Sequence, residues 1–267
     1  MELIGFAGIE EAALLARCGE RDLPSGQYDE ETLNRAKQAI GPVPLLLSEL
    51  LSESEDDDTP LGAACEPDFE LARRVEALAY ALRLDPIEID FRKHDSRNAL
   101  HISKGVTVRI VIDSSKPDVD EFELALSLAR VALGAEHLIV LSDEEIGSLV
   151  AWAEKSTKVP PTLLVPVRER QRRKLRKQFA ALSAAGWKTA RDQAITASER
   201  LAVSLQNHPG KALVALAERR GLHAEQLVED TDLAAHVGFL LSDAYAAIES
   251  RLWETNAILG DTSTKMI

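Results

Sequence analysis

Apolar residues recur at helical spacing through most of the chain, and three short alternating stretches interrupt them. DFELARRVEALAYAL, from Asp68, is a capped amphipathic helix. IEIDFR (87–92), ALHIS (99–103) and VTVRIVID (106–113) have the alternation of strands, and the polar residues between the first two predict a hairpin. The pattern predicts a predominantly helical α+β fold. We expect a small three-stranded sheet packed on a buried central helix, and a helical C-terminal half.

The central helix is predicted from PDVDEFELALSLARVALG. Asp118 is the expected N-cap, Glu121 completes a capping box, and Gly134 ends the helix. Apolar residues occupy positions 122, 124, 125, 126, 128, 129, 131, 132 and 133. A helix with so small a polar face belongs in the middle of a domain.

Other helix ends carry similar signals. SGQYDEETLNRAKQAIG has Asp29 or Ser25 as a cap and ends at Gly41. Ser142, followed by Glu145 three residues later, predicts the start of another helix.

Composition shifts along the chain divide it into four segments. We predict an N-terminal helical segment (1–51), an acidic flexible linker (52–67), an α+β domain (68–255) and a tail (256–267). The linker is predicted because residues 52–68 hold seven acidic residues and two prolines but almost nothing to bury.

Charge and cysteine content narrow the function classes. The net charge of −13 argues against general affinity for nucleic acid or anionic membranes. Cys18 and Cys65 do not form a disulfide framework, and the N-terminus lacks the pattern of a secretory signal. No apolar run reaches the roughly 20 residues of a membrane span. We therefore expect a cytoplasmic protein.

The predicted strand VTVRIVID and helix FELALSLARV resemble the strand and active-site helix of small zinc peptidases. In that family two histidines, four residues apart, bind Zn²⁺, and the glutamate after the first is the general base. Leu126 and Arg130 stand at the ligand positions and Ser127 at the base position. The resemblance therefore implies no catalytic residues, no metal and no cofactor.

Residues 68–253 are also similar to the zinc-free peptidase-like domain at the C-terminus of large bacterial tetratricopeptide-repeat proteins. The matching pieces are LRLDPIEIDF, FELALSLARVALGAEHLIVL, HPGKALVALAERRG and FLLSDAYAAIESRLW. This resemblance implies a non-catalytic scaffold on a degenerate peptidase-like fold. The alternative is an unrelated core helix, and in both interpretations the helix performs no chemistry.

A hydrolase with a site outside any known motif is a second hypothesis. KHDSRNALH places His94, Asp95 and His101 near one another, and Glu136 precedes His137. A carboxylate can orient an imidazole for acid–base catalysis. The hypothesis requires these side chains to converge in one cleft.

The segment VRERQRRKLRK (167–177) contains seven Lys or Arg residues in eleven positions, and its predicted helix ends at Gly186. Helical spacing places Arg168, Arg172 and Arg176 on one face, with Arg173 and Lys177 beside it. The segment is a solvated helix end, a docking surface for an acidic protein segment or a nucleic-acid-binding surface. The chain's own residues 53–58 are one possible acidic partner. No aromatic residues interleave with these charges, which disfavours single-strand binding.

These observations favour a non-catalytic adaptor or scaffold whose partner is another protein with an acidic surface. Self-association into a homo-oligomer is also open. The hydrolase and a regulatory nucleic-acid-binding module remain the alternatives.

Overall fold

A computed structural model describes the fold of most of the chain. The residues it describes are 23–44, 47, 64–93, 100–104, 107–113, 120–155, 177, 184–222 and 230–253. Their helices are α1 (Glu30–Ile40), α2 (Phe69–Ala81), α3 (Glu121–Leu133), α4 (Glu136–Val140), α5 (Asp143–Lys155), α6 (Ala184–Ser204), α7 (Pro209–Arg219), α8 (Thr231–Leu240) and α9 (Asp243–Trp253). The predicted, predominantly helical α+β class is confirmed.

The strands form one small sheet. They are β1 (Ile87–Arg92), β2 (Leu100–Lys104) and β3 (Val108–Asp113), in the spatial order β1-β3-β2. β1 runs parallel to β3, with Ile87 opposite Val108, and β2 pairs antiparallel to β3, with Leu100 opposite Ile112. Five of the six β3 side chains are buried, as expected for the central strand.

The predicted hairpin between the first two strands is wrong. β3 lies between β1 and β2, so the first two strands are not neighbours in the sheet. The outer edge of β1 is met instead by the residues just before α2. Ala64 forms an antiparallel bridge with Arg92, and the Cys65 amide donates to the Phe91 carbonyl at 2.9 Å.

Helix α3 is buried as predicted. All nine of the apolar positions identified in the sequence are buried, among them Leu126 with 1% exposure. The N-cap prediction is wrong by two residues, because Asp120 caps the helix by accepting from the Phe122 amide at 2.9 Å. Asp118 lies outside the described residues. Gly134 ends the helix in the left-handed conformation (φ 66°), which glycine adopts without strain.

The predicted ends of α1 and the start of α5 are confirmed, whereas the predicted stop at Gly186 is wrong. Asp29 caps α1 and Gly41 ends it. Ser142 and Glu145 form the predicted capping box before α5, with the Glu145 amide donating to Ser142 Oγ at 3.2 Å. Gly186 does not end a helix, since it is the third residue of α6.

The hydrophobic core surrounds α3. This helix packs most extensively against α6, and it also contacts β2, α1, α2 and α4. The described N-terminal residues enter the same core through Tyr28, Leu33, Ile40, Val43 and Leu47. The division of the chain into four segments stays a prediction.

A short N-terminal stretch joins three distant helices. The amides of Ser25 and Gly26 both donate to the Leu252 carbonyl of α9 at 3.0 Å. Tyr28 donates through its amide to the Ala81 carbonyl at 2.8 Å, and through its hydroxyl to the Leu201 carbonyl at 3.2 Å. Burial raises the pKa of the Tyr28 phenol well above its usual value, so it stays a neutral donor.

We expect Gly26→Ala to destabilise the protein by about 1–3 kcal/mol, because the new methyl group overpacks the junction with α9. A Cβ at this position would lie 1.8 Å from the Arg251 carbonyl oxygen, which is backbone and cannot rotate away. Urea unfolding measures the loss. Gly238→Ala is the matched control, because nothing lies within 4 Å of its added Cβ in α8. Equal stability of the two variants would contradict the close approach.

Candidate functional site

The three positions matched to the zinc-peptidase motif lie along one helix, α3. Leu126 is fully enclosed by the core, whereas Ser127 and Arg130 are partly buried. Burial lowers the pKa of the Arg130 guanidinium, and the negative charge of Glu199 on α6 raises it in turn. Arginine remains a cation under both influences. Arg130, at the second ligand position of the motif, therefore places a permanent positive charge near Glu199.

Glu199 is the centre of a buried group of charges. It is 6% exposed, and its Oε2 atom accepts from Arg220 at 2.8 Å and lies 2.9 Å from Nε2 of His236. We call Arg130, Glu199, Arg220 and His236 the Glu199 cluster. Its members come from α3, α6, the C-cap of α7 and α8, so the cluster joins four helices.

The Glu199 cluster extends through Arg220 to the capped start of α8. Asp230 caps α8 by accepting from the amides of Asp232 and Leu233 at 3.0 and 2.9 Å. Arg220 reaches Asp230 and Asp232 at 3.4 Å each. One arginine therefore links the buried carboxylate to the partly exposed end of α8.

The chemistry available to the Glu199 cluster is limited. A carboxylate beside an imidazole is the arrangement of an oriented general base. Here, however, His236 is 1% exposed, and its buried Nδ1 atom has no hydrogen-bond partner among the described residues. Two arginines beside the single buried carboxylate also oppose the binding of a divalent cation. Within the described residues, no three His, Cys, Asp or Glu side chains are grouped so that they could hold a metal ion.

Sequence reasoning did not identify Glu199, Arg220 or His236. Glu199 and His236 are 37 residues apart on separate helices, so no local spacing connects them. One signal did exist, since His236 is the lone charged or imidazole residue of AAHVGFLL. Such residues inside buried helices usually pair with one another.

The described residues of the hydrolase hypothesis lie on two elements, β2 and α4. His137 Nε2 is 3.9 Å from Glu136 Oε1, and both side chains are partly exposed near the start of α4. His101 is in β2, which the failed hairpin prediction had placed beside β1. His94 and Asp95 lie outside the described residues, so their convergence with the Glu136–His137 pair stays a prediction.

The basic segment is described at one residue only. Lys177 is helical and exposed. The other candidate partner-binding residues, Arg168, Arg172, Arg173 and Arg176, lie outside the described residues, as do residues 53–58. Docking between the acidic and basic segments therefore stays a prediction.

No family model, curated protein or solved structure matches this chain. Of the helices in the described part of the chain, none has the length and apolar character needed to span a membrane.

We expect Glu199→Gln to destabilise the protein by about 3–5 kcal/mol, because it leaves Arg220 and Arg130 without their buried counter-charge. The amide keeps the size of the carboxylate, so the loss reports charge and not volume. Urea unfolding measures it. Glu31→Gln is the control, since its ion pair with Arg35 is exposed to solvent and contributes little to stability. A loss at Glu199 no larger than at Glu31 would contradict the electrostatic role of the Glu199 cluster.

Proposed function

We propose that this protein is a non-catalytic adaptor or scaffold that binds another protein, built on a degenerate, zinc-free peptidase-like fold. It works in the cytoplasm without a metal or cofactor. One surface of α2 supports the binding role, and the Glu199 cluster supports the proposed loss of a catalytic metal.

The loss of metal chemistry is supported by the residues of α3. Leucine offers no ligand for Zn²⁺, and Arg130 is a cation at the second ligand position. Glu199, a carboxylate close enough to interact with Arg130, is already hydrogen-bonded to Arg220. Arginines thus neutralise a carboxylate that a metal ion would otherwise engage, and the helix contributes to stability.

Protein binding is supported by two exposed aromatic side chains on α2. Phe69 is 80% exposed and Tyr80 is 52% exposed. They are eleven residues apart, which is about three helical turns, so both project from one face about 16 Å apart. Exposed aromatic residues of this kind are common anchors of protein interfaces.

The platform beneath these aromatic residues is rigid. Val75, Leu78 and Ala79 fix the opposite face of α2 in the core with at most 1% exposure. Asp68 caps the helix by accepting from the amides of Glu70 and Leu71 at 3.0 Å. A partner therefore meets a preorganised surface, which lowers the entropic cost of binding. We call Phe69 and Tyr80, with the exposed turns between them, the α2 face.

We expect the double variant Phe69→Ser, Tyr80→Ser to weaken binding of the partner by at least tenfold, because it removes both aromatic anchors of the α2 face. Cross-linking in the native cell identifies the partner, and calorimetry with purified components measures the affinity. The control is Val140→Ser, Leu241→Ser, which removes exposed apolar groups elsewhere (74% and 44% exposed). Equal affinity of the two double variants would exclude the α2 face as the interface.

The basic segment (167–177) leads to a second prediction about partner binding. We expect Arg172→Glu, Arg173→Glu, Arg176→Glu to weaken partner binding and to reduce its dependence on salt, because the partner is proposed to present an acidic surface. Affinity measured at low and moderate salt tests this. The charge-matched control changes three exposed lysines, Lys93, Lys188 and Lys211, to Glu. A triple Arg variant that binds like this control would remove the basic segment from the interface.

A further inference from the structure

A groove opens between α1, α6 and the α8–α9 pair, on a different part of the protein from the α2 face. It encloses about 450 Å³, which is within the range of small-molecule sites. The small side chains of Ala36, Ala39 and Ala197 line its walls, with Phe239 and Ile248 contributing larger apolar surface. This lining suits a ligand whose larger part is apolar.

One cation enters this apolar groove. Arg200 on α6 is the only Lys or Arg among the described residues that line it, and its guanidinium lies 5.3 Å from the centre of the Phe239 ring. Its Nε atom is buried and makes no hydrogen bond, and Arg200 forms no ion pair within the described part of the chain. A guanidinium is a strong donor to carboxylates. The arginine is therefore available to an anionic ligand group.

The groove is elongated. Its lining residues on α6 run from Thr189 to Ser204, which is about 22 Å of helix. The small side chains of Ala36, Ala39 and Ala197 leave space along this length. An extended aliphatic chain has the shape to follow it.

We propose that this groove binds an unbranched aliphatic monocarboxylate of medium chain length. The carboxylate accepts from the Arg200 guanidinium, and the hydrocarbon chain lies along Ala36, Ala39 and Ala197. The exposed Asp192, the one acidic residue among the described lining residues, disfavours a second negative charge on the ligand. The site goes beyond the proposed adaptor role and does not depend on it.

The test is calorimetric titration of the full-length protein with decanoate, below the concentration at which it forms micelles. We expect saturable binding with one site per chain, at least tenfold weaker binding to Arg200→Gln, and weaker binding of decanol, which has the chain without the charge. Acetate, which has the charge without the chain, should not bind measurably. No saturable binding of decanoate to the wild-type protein would overturn the proposal, whether the groove is closed by another segment or has no affinity.

Two further variants separate this site from general surface binding. Lys188→Gln removes an exposed cation of the same helix that does not line the groove, and it should bind decanoate like the wild-type protein. Ala36→Leu fills the groove from the α1 side and should abolish binding. Circular dichroism verifies that each variant is folded, and Ala39→Leu replaces Ala36→Leu if the latter does not fold. Equal binding by Arg200→Gln and Lys188→Gln, or undiminished binding by the Leu variant, would overturn the assignment.

Discussion

The burial of α3 is the constraint on which the other elements depend. Apolar side chains project from this helix in nearly every direction, and each large one contributes about 1.5–3 kcal/mol when it leaves water. One neighbouring layer cannot cover such a surface. α6 packs along one side, while β2, α1, α2 and α4 contact it elsewhere. The sheet can therefore stay small, because helices supply most of the cover.

The last turn of α3 also carries a charged residue, Arg130, into the partly buried interior. Removing a charged group from water costs several kcal/mol, and a counter-charge offsets that cost only when its geometry is good. Glu199 provides the charge, and its own acceptor capacity is met by Arg220 and His236. Replacing the whole cluster with apolar residues could leave a protein of equal stability. The contacts of Glu199 with Arg220 and His236 form only when their helices are aligned.

Features set by neighbouring residues could be predicted from the sequence, and features set by distant pairings could not. The burial of α3 follows from periodicity alone. Its cap was misplaced because Asp118 and Asp120 both suit an N-cap, and only the actual start of the helix decides between them. Gly186 looked like a stop, but a glycine inside a helix costs only about 1 kcal/mol, and Trp187, fully buried beside it, outweighs that cost. Strand order and the contact between Glu199 and His236 depend on the whole fold.

The groove beside α1 follows from the same packing. Tyr28 ties the beginning of α1 to α6 through the Leu201 carbonyl, and Ile40 anchors its end in the core with 2% exposure. Between these two points the lining includes the small side chains of Ala36 and Ala197, which leave space between the helices. The Arg200 guanidinium lies against Phe239, which is also part of the lining. Contacts near both ends fix α1 beside α6, and the groove lies where small residues fall on the two helices.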